Sequence, residues 1–387
     1  MEKDKRIAGA LKEKYLSSIP LGDVEDIRKN PSIKLPTILT TVFLMPFLGV
    51  KSLLALDREA RTGRLKRLMN CRRRLVVSDT TVRRILGWLN PVQIRSLPLS
   101  LTSKFQSQKL LSRRLAPGTA ARTLGILDGT YMGGHWLSAL CLVGKINFPA
   151  LFWPLRNQGQ ELATAVPAIK EAKARLGSAF PHLWILDALY FTQNVFHQIT
   201  DAGSHLLIKL KDAEYRAITR DAANLFQHFG GDEVQNGFDD QRLCSWSTIQ
   251  TTDSFAGIPV QILYINELYH KRTNNKNVCC WCVTTDLTLS AAEIREAAHL
   301  RWQIENNLFK RLNHLAGTKR FYFKDPRAFF NMLHLFSAAV ACLDALTTIL
   351  ISHRRVFKAL MAGRKFTQLN FLSTLAEAFE GTVLIEC

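Results

Sequence analysis

TLGILD, at residues 123–128, is an apolar run that ends on an acid and is followed at once by Gly129 and Thr130. Residues 135–143 and 148–155 are two further strand-like runs, with turn residues 144–147 between them. A helix is expected over about 161–176, after the loop Arg156-Asn157-Gln158-Gly159. Residues 183–186 (LWIL) form another strand that ends in Asp187. Residues 192–200 read as helix and residues 206–210 (LLIKL) as strand. The order is three strands, a helix, a strand, a helix and a strand. Three consecutive strands make a meander, and the βαβα continuation adds parallel strands, so the class is α/β with a mixed sheet.

On the N-terminal side, residues 1–30 carry both signs of charge, and Pro31 and Pro36 break the chain before an apolar stretch at 38–56. Residues 52–69 look helical and carry Arg58, Arg61, Arg64, Lys66 and Arg67; Arg72, Arg73 and Arg74 follow. Ser78-Asp79-Thr80-Thr81 is a run of N-cap candidates opening a helix at 82–89 with Arg83 and Arg84. Short helices with clustered arginine and lysine are the pattern of a helical DNA-binding region, here residues 1–115.

On the C-terminal side, residues 116–211 are the first part of the core. Residues 212–290 begin with a helical segment and then read as strands at 232–252, 259–264 and 278–285, with the polar loop 271–276. This is a β-rich insertion. Residues 291–313, AAEIREAAHLRWQIENNLFKRLN, contain no Gly or Pro, and Ser290 with Glu293 makes a capping-box start. On that helix Arg301 and Glu305 are four residues apart and share a face, which Leu308 and Leu312 continue. The helix and its successor fill 291–350. A basic helical tail, 351–387, includes His353, Arg354, Arg355, Lys358, Arg364 and Lys365.

Composition narrows the class of partner. In 387 residues, 51 basic and 32 acidic side chains give a formal net charge of +19, which points to a polyanion, nucleic acid before an anionic membrane. Hydrophobic residues make up 47%, enough for a substantial core. Eight cysteines without disulfide-framework spacing indicate a reduced, intracellular context. Cys279, Cys280 and Cys282 lack a second pair at zinc spacing and read as structural thiols on a buried strand. The charged N-terminus has no apolar signal-peptide core. The apolar stretches 38–56 and 334–352 are interrupted or carry an acid and read as core helices, not membrane spans.

Asp128 and Asp187 each stand where an apolar strand is expected to end, which holds a side chain at the mouth of a sheet while the backbone stays pinned. Such residues often only cap the next turn. Two of them, with a helical Arg-x-x-x-Glu in a basic chain, suit a cation site. Three carboxylates can hold two Mg²⁺ ions about 4 Å apart, the arrangement used in phosphodiester chemistry.

Several segments resemble the DDE transposases of bacterial insertion sequences, in the insertion-sequence-four-like branch. They are 124–134 (LGILDGTYMGG), 157–162 (NQGQEL), 184–194 (WILDALYFTQN), 283–289 (VTTDLTL) and 301–307 (RWQIENN), with 78–87 (SDTTVRRILG) near the N-terminus. The resemblance implies a ribonuclease-H-like core with a β-strand insertion ahead of the helix that carries the Glu. Asp187 follows Asp128 by 59 residues (187 − 128), and Glu305 follows Asp187 by 118 (305 − 187), room for an inserted sheet. By position, Asp128, Asp187 and Glu305 match the metal-binding catalytic acids, and Arg301 the arginine that orients the Glu or meets DNA phosphate. Two Mg²⁺ ions are implied, with Mn²⁺ as a substitute, together with DNA partners (element ends and target) and a homodimer on DNA. A bacterial cytoplasmic setting near the nucleoid follows. Two signature positions depart: Ala298 stands where the branch has Tyr, and Leu312 where it has Lys. Lys310 and Arg311 are close in sequence but lie well around a regular helix from Glu305. Candidate DNA contacts are Arg301, Lys310, Arg311, Lys209, Arg83 and Arg84, with Lys211, Lys145 and Arg156 as further phosphate candidates. The rival reading is a catalytically inactive or repurposed DNA-binding protein of the same fold.

Overall fold

A computed structural model describes residues 15, 18–62, 77–210, 216–229, 232–239, 242–269, 276–319 and 323–352. In chain order the helices and strands are α1 (Leu35–Leu48), α2 (Leu53–Arg61), α3 (Asp79–Trp88), α4 (Pro91–Leu99), α5 (Thr102–Ser107), β1 (Leu124–Met132), β2 (His135–Val143) and β3 (Asn147–Leu155). There follow α6 (Glu161–Leu176), β4 (Leu183–Asp187), α7 (Gln193–Asp201), β5 (His205–Leu210), α8 (Arg216–Phe229), β6 (Asp232–Asp239), β7 (Arg242–Phe255), β8 (Ile258–Tyr269) and β9 (Lys276–Thr284). The chain continues through α9 (Ala291–Gln303), a π-turn (Ile304–Phe309), α10 (Lys310–Ala316) and α11 (Pro326–Ser352). The basic residues at 64–74, Lys211, the loop 271–275 and the tail beyond 352 lie outside the described residues.

The chain divides into two compact units, and the division runs within β1, after Asp128. One unit comprises residues 1–111, 129–158 and 306–387. Its axis is α11, buried along most of its length, with α1, α3, α4 and β3 packed on it. α1 is apolar on all sides and buried from Leu35 to Phe47 apart from Pro36. The apolar stretch at 334–352 is thus part of a core helix, as expected, whereas the stretch at 38–56 is split: α1 ends at Leu48, capped by Gly49 in the left-handed conformation, and α2 starts at Leu53 at about 100° to it. α11 is long and apolar enough to cross a membrane, but 67% of its apolar window is buried inside the protein. Its polar residues are anchored: Asn331 Nδ2 donates to the carbonyls of Leu86 (2.8 Å) and Leu89 (3.2 Å), satisfying the end of α3. Ser337 donates to the Pro149 carbonyl of β3. At the start of α3 the Ser78 side chain accepts the Thr81 N–H, as the N-cap run predicts.

The other unit comprises residues 112–128 and 159–305. β1 pairs in parallel with β4, Leu124 opposite Leu183 through Ile126 opposite Ile185, and β4 with β5, Leu183 opposite His205 through Asp187 opposite Lys209. These strands are fully apolar in their middles because helices cover them, with α9 lying against β4 and β5. The sheet then continues antiparallel through β9, β8, β7 and β6. The β-rich insertion is thus an extension of the core sheet, joined through β9 on β5, with α8 packed on β7 and β8. A mixed sheet with flanking helices is consistent with a ribonuclease-H-like domain.

α9 begins with the expected capping box, in which the Ser290 side chain accepts the Glu293 N–H and the Glu293 carboxylate accepts the Ser290 N–H. It does not run on as regular α-helix to residue 313. From Ile304 to Phe309 the bonding is i→i+5, a π-turn, a form often found at functional sites. Beyond Ile304 the constant 100° step that grouped Leu308 and Leu312 with Arg301 and Glu305 no longer holds.

Candidate active site

Three elements of one unit bring three carboxylates together. β1 extends past Asp128 to Met132, so Asp128 is not the strand end that the sequence suggested. It stands two residues beyond Ile126, where the register with β4 ends, and that leaves its side chain half-buried at the mouth of the parallel strands. Asp187 does end its strand. Its Oδ1 accepts the Leu189 N–H at 2.7 Å, the turn-capping role common for such residues. Its Oδ2 faces the site. Glu305 comes from the opening of the π-turn, one helical turn after Arg301 on α9.

The Arg301 guanidinium lies among all three. Its Nη1 is 3.6 Å from Asp128 Oδ2, 3.7 Å from Asp187 Oδ2 and 3.6 Å from Glu305 Oε1. These distances exceed hydrogen-bond length, so the attraction is Coulombic and shared nearly equally. The Arg301 side chain is only 14% exposed, whereas that of Glu305 is 47% exposed. Three carboxylates and one guanidinium leave two formal negative charges, which favours further cations.

Hard carboxylate oxygens from three separate elements are the donor set that Mg²⁺ takes, and in kind the site fits it. In the structure these oxygens face the Arg301 guanidinium at 3.6–3.7 Å, whereas Mg²⁺ binds oxygen at about 2.0–2.1 Å. Among the described residues, no three His, Cys, Asp or Glu side chains are grouped so that they could hold a metal as they stand.

The other candidate residues are distributed as follows. Lys209 on β5 is directly in register with Asp187 on β4, so the two side chains leave the sheet on the same face. Lys310 is exposed at the start of α10. Arg311 forms an ion pair with Asp344 of α11. On α3, Arg83 lies 3.6 Å from Asp79 and Arg84 over the Trp88 ring. Lys145 and Arg156 are exposed. The departing positions, Ala298 and Leu312, are 2% and 0% exposed, so the apolar side chains there serve the interior. Cys280 and Cys282 are buried on β9 with sulfurs 3.6 Å apart.

Sequence reasoning missed the residues that hold α9 in place. Glu267 on β8, 3% exposed, lies 2.6 Å from Arg295 Nε and 2.8 Å from His299 Nε2, and it accepts from the Tyr269 hydroxyl at 3.0 Å. Arg295 also lies over the Trp246 ring at 4.0 Å. Burial pushes the Glu267 carboxyl up, but the His299 hydrogen bond and the charges of His299 and Arg295 outweigh it and hold it down at about 2. Ahead of the helix, Asp286 pairs with Arg122, and its Oδ1 accepts the Thr288 N–H at 3.1 Å and the Thr288 hydroxyl at 2.6 Å. Asp286 belongs to the VTTD segment; its recurrence in the resemblance was the one available signal.

A mixed α/β sheet that gathers three acids about one arginine is an arrangement consistent with a ribonuclease-H-like domain. The comparison with known families agrees: residues 156–342, just under half of the chain, match the family described as Transposase DDE domain. The match takes in Asp187, Arg301 and Glu305, while Asp128 precedes it. No curated protein matches the chain.

Proposed function

We propose that this chain is a DNA transposase of a bacterial insertion sequence, in the insertion-sequence-four-like branch, that cuts the element's ends and joins them to target DNA. The observation that carries the reading is the convergence of Asp128, Asp187 and Glu305 on one point beside Arg301. The family match over residues 156–342 supports it.

In this reading the three carboxylates would hold Mg²⁺, or Mn²⁺ in its place. Bound there, the ions supply activation of the nucleophile and neutralisation of the leaving oxygen. The reaction has two displacements at phosphorus. Water attacks the phosphodiester at the element's end, and the bond to the 3′-oxygen breaks to leave a 3′-hydroxyl and a 5′-phosphate. That hydroxyl then attacks a target phosphodiester, forming one P–O bond as another breaks. Asp128 and Asp187 are fixed by neighbouring strands, and the capping of Leu189 by Asp187 holds the second carboxylate in one orientation. Lys209, in register with Asp187, would contact a DNA phosphate. The basic helices before residue 115 would bind the end sequence, within a homodimer that pairs two ends.

The test uses DNA flanking the gene as substrate, incubated with purified protein and Mg²⁺. Wild type is expected to cut at defined positions, and Asp128→Asn and Glu305→Gln to bind without cutting. Equal cutting by all three would mean that other carboxylates act, and binding with no cutting by any would leave a DNA-binding protein.

A further inference from the structure

Arg301 is placed differently from an arginine that orients one glutamate. Such a residue would favour its partner at hydrogen-bond distance. Here Nη1 stands 3.6–3.7 Å from one oxygen of each of three carboxylates, closest to none of them. Its side chain is largely removed from water. This is the point where a cation feels all three charges at once.

We propose that Arg301 is itself the resident cation of the metal-free protein, and that loading the site with a divalent ion requires its guanidinium to leave. The inference rests on the reading of the triad as a cation site. A guanidinium and a divalent ion repel one another, and the space equidistant from three oxygens cannot hold both. Metal binding is therefore an exchange of one cation for another, with three consequences. The metal-free site keeps its carboxylates from repelling one another apart. Its affinity for the divalent ion is lowered by the competing charge. Once displaced, the guanidinium sits on the helix beside Glu305 and is available to a DNA phosphate, whose presence would in turn favour loading.

The test is Mn²⁺ binding to the full chain, read by the electron paramagnetic resonance signal of free Mn²⁺, alongside melting temperature without metal. Wild type, Arg301→Gln, Arg301→Lys and Asp187→Asn are compared. The expected result is that Arg301→Gln binds Mn²⁺ about tenfold or more tightly than wild type and melts lower than wild type only when metal is absent. Should that variant not fold, Arg301→Lys, which keeps the charge but not the planar reach, is expected to bind more tightly by a smaller factor. Asp187→Asn is expected to abolish binding, which locates the ion. Equal or weaker Mn²⁺ binding by the arginine variants, with binding still lost in Asp187→Asn, overturns the exchange and leaves the triad as a metal site. No binding by any protein overturns both.

Discussion

His299 Nε2 lies 2.8 Å from Glu267 Oε1, which ties the helix bearing Arg301 to a strand of the inserted sheet. Arg295, one turn earlier on the same helix face, takes the same carboxylate oxygen at 2.6 Å. The insertion thus fixes the direction in which α9 delivers Arg301 and Glu305. Glu267→Gln would leave Arg295 inside without its counter-charge. The expected cost is about 3 kcal/mol in urea unfolding, with a larger loss in cleavage than in DNA affinity. The pH dependence follows from a folded-state carboxyl held below its unfolded value. Its stabilisation is complete above the unfolded value near 4.3 and is lost as pH falls towards about 2. Acid unfolding followed by circular dichroism should begin at higher pH in tightly related variants that lack His299 or Arg295.

Asp187 uses its two oxygens for different purposes, one for the Leu189 N–H and one for the site. Asp187→Asn can keep the cap, so its stability should match wild type while cleavage is abolished. Asp187→Ala loses both and should also lose about 1 kcal/mol of stability. Thermal melts of the two variants side by side separate the roles.

Asp344 sits on the buried α11, and burial pushes its carboxyl up to about 7 against the downward pull of the Arg311 charge. A carboxyl raised in the folded state contributes stability below its unfolded value that is lost as pH rises through the folded one. Wild type should therefore lose stability between about pH 4 and 7 by up to about 1.4 kcal/mol per pH unit from this group. Asp344→Asn should flatten that slope in a series of denaturant titrations across the interval.

Gly144 turns the chain between β2 and β3 against the segment ending at Leu111. A Cβ there would lie 2.3 Å from the Leu110 carbonyl oxygen and 2.5 Å from the Leu111 carbonyl carbon, both backbone atoms. The same carbonyl accepts the Lys145 and Ile146 N–H groups, so it has little freedom to move. Gly144→Ala should cost about 2 kcal/mol or more, read as a lowered urea midpoint.

Much of the core was legible because apolar runs flanked by turn residues encode strands directly. TLGILD, LWILD and LLIKL are all found as the expected strands, and the capping box at Ser290 marks the start of α9. The continuation of β1 through Asp128 was not legible, since Gly129-Thr130 reads as a turn. The π-turn at Ile304–Phe309 was hidden because apolar spacing carries no record of an i→i+5 bond. Glu267 was missed for another reason. A charged residue on an alternating strand reads as solvent-facing, and its partners lie 28 and 32 residues away on a helix. The union of insertion and core sheet through β5 and β9 is likewise a long-range pairing that local pattern cannot supply.

That pairing has a bearing on how the protein comes into being on the ribosome. Asp128 and Asp187 are synthesised early, but β9 must cross back to β5, and β8 must pair with β9, before Arg295 and His299 of α9 meet Glu267. Closing so distant a contact is slow compared with making a helix or a hairpin. A nascent chain that has reached residue 290 has two of the acids and neither Arg301 nor Glu305. The ability to cut DNA, on this reading of the triad, arrives late in synthesis and all at once, so an unfinished chain poses no danger to the genome that encodes it.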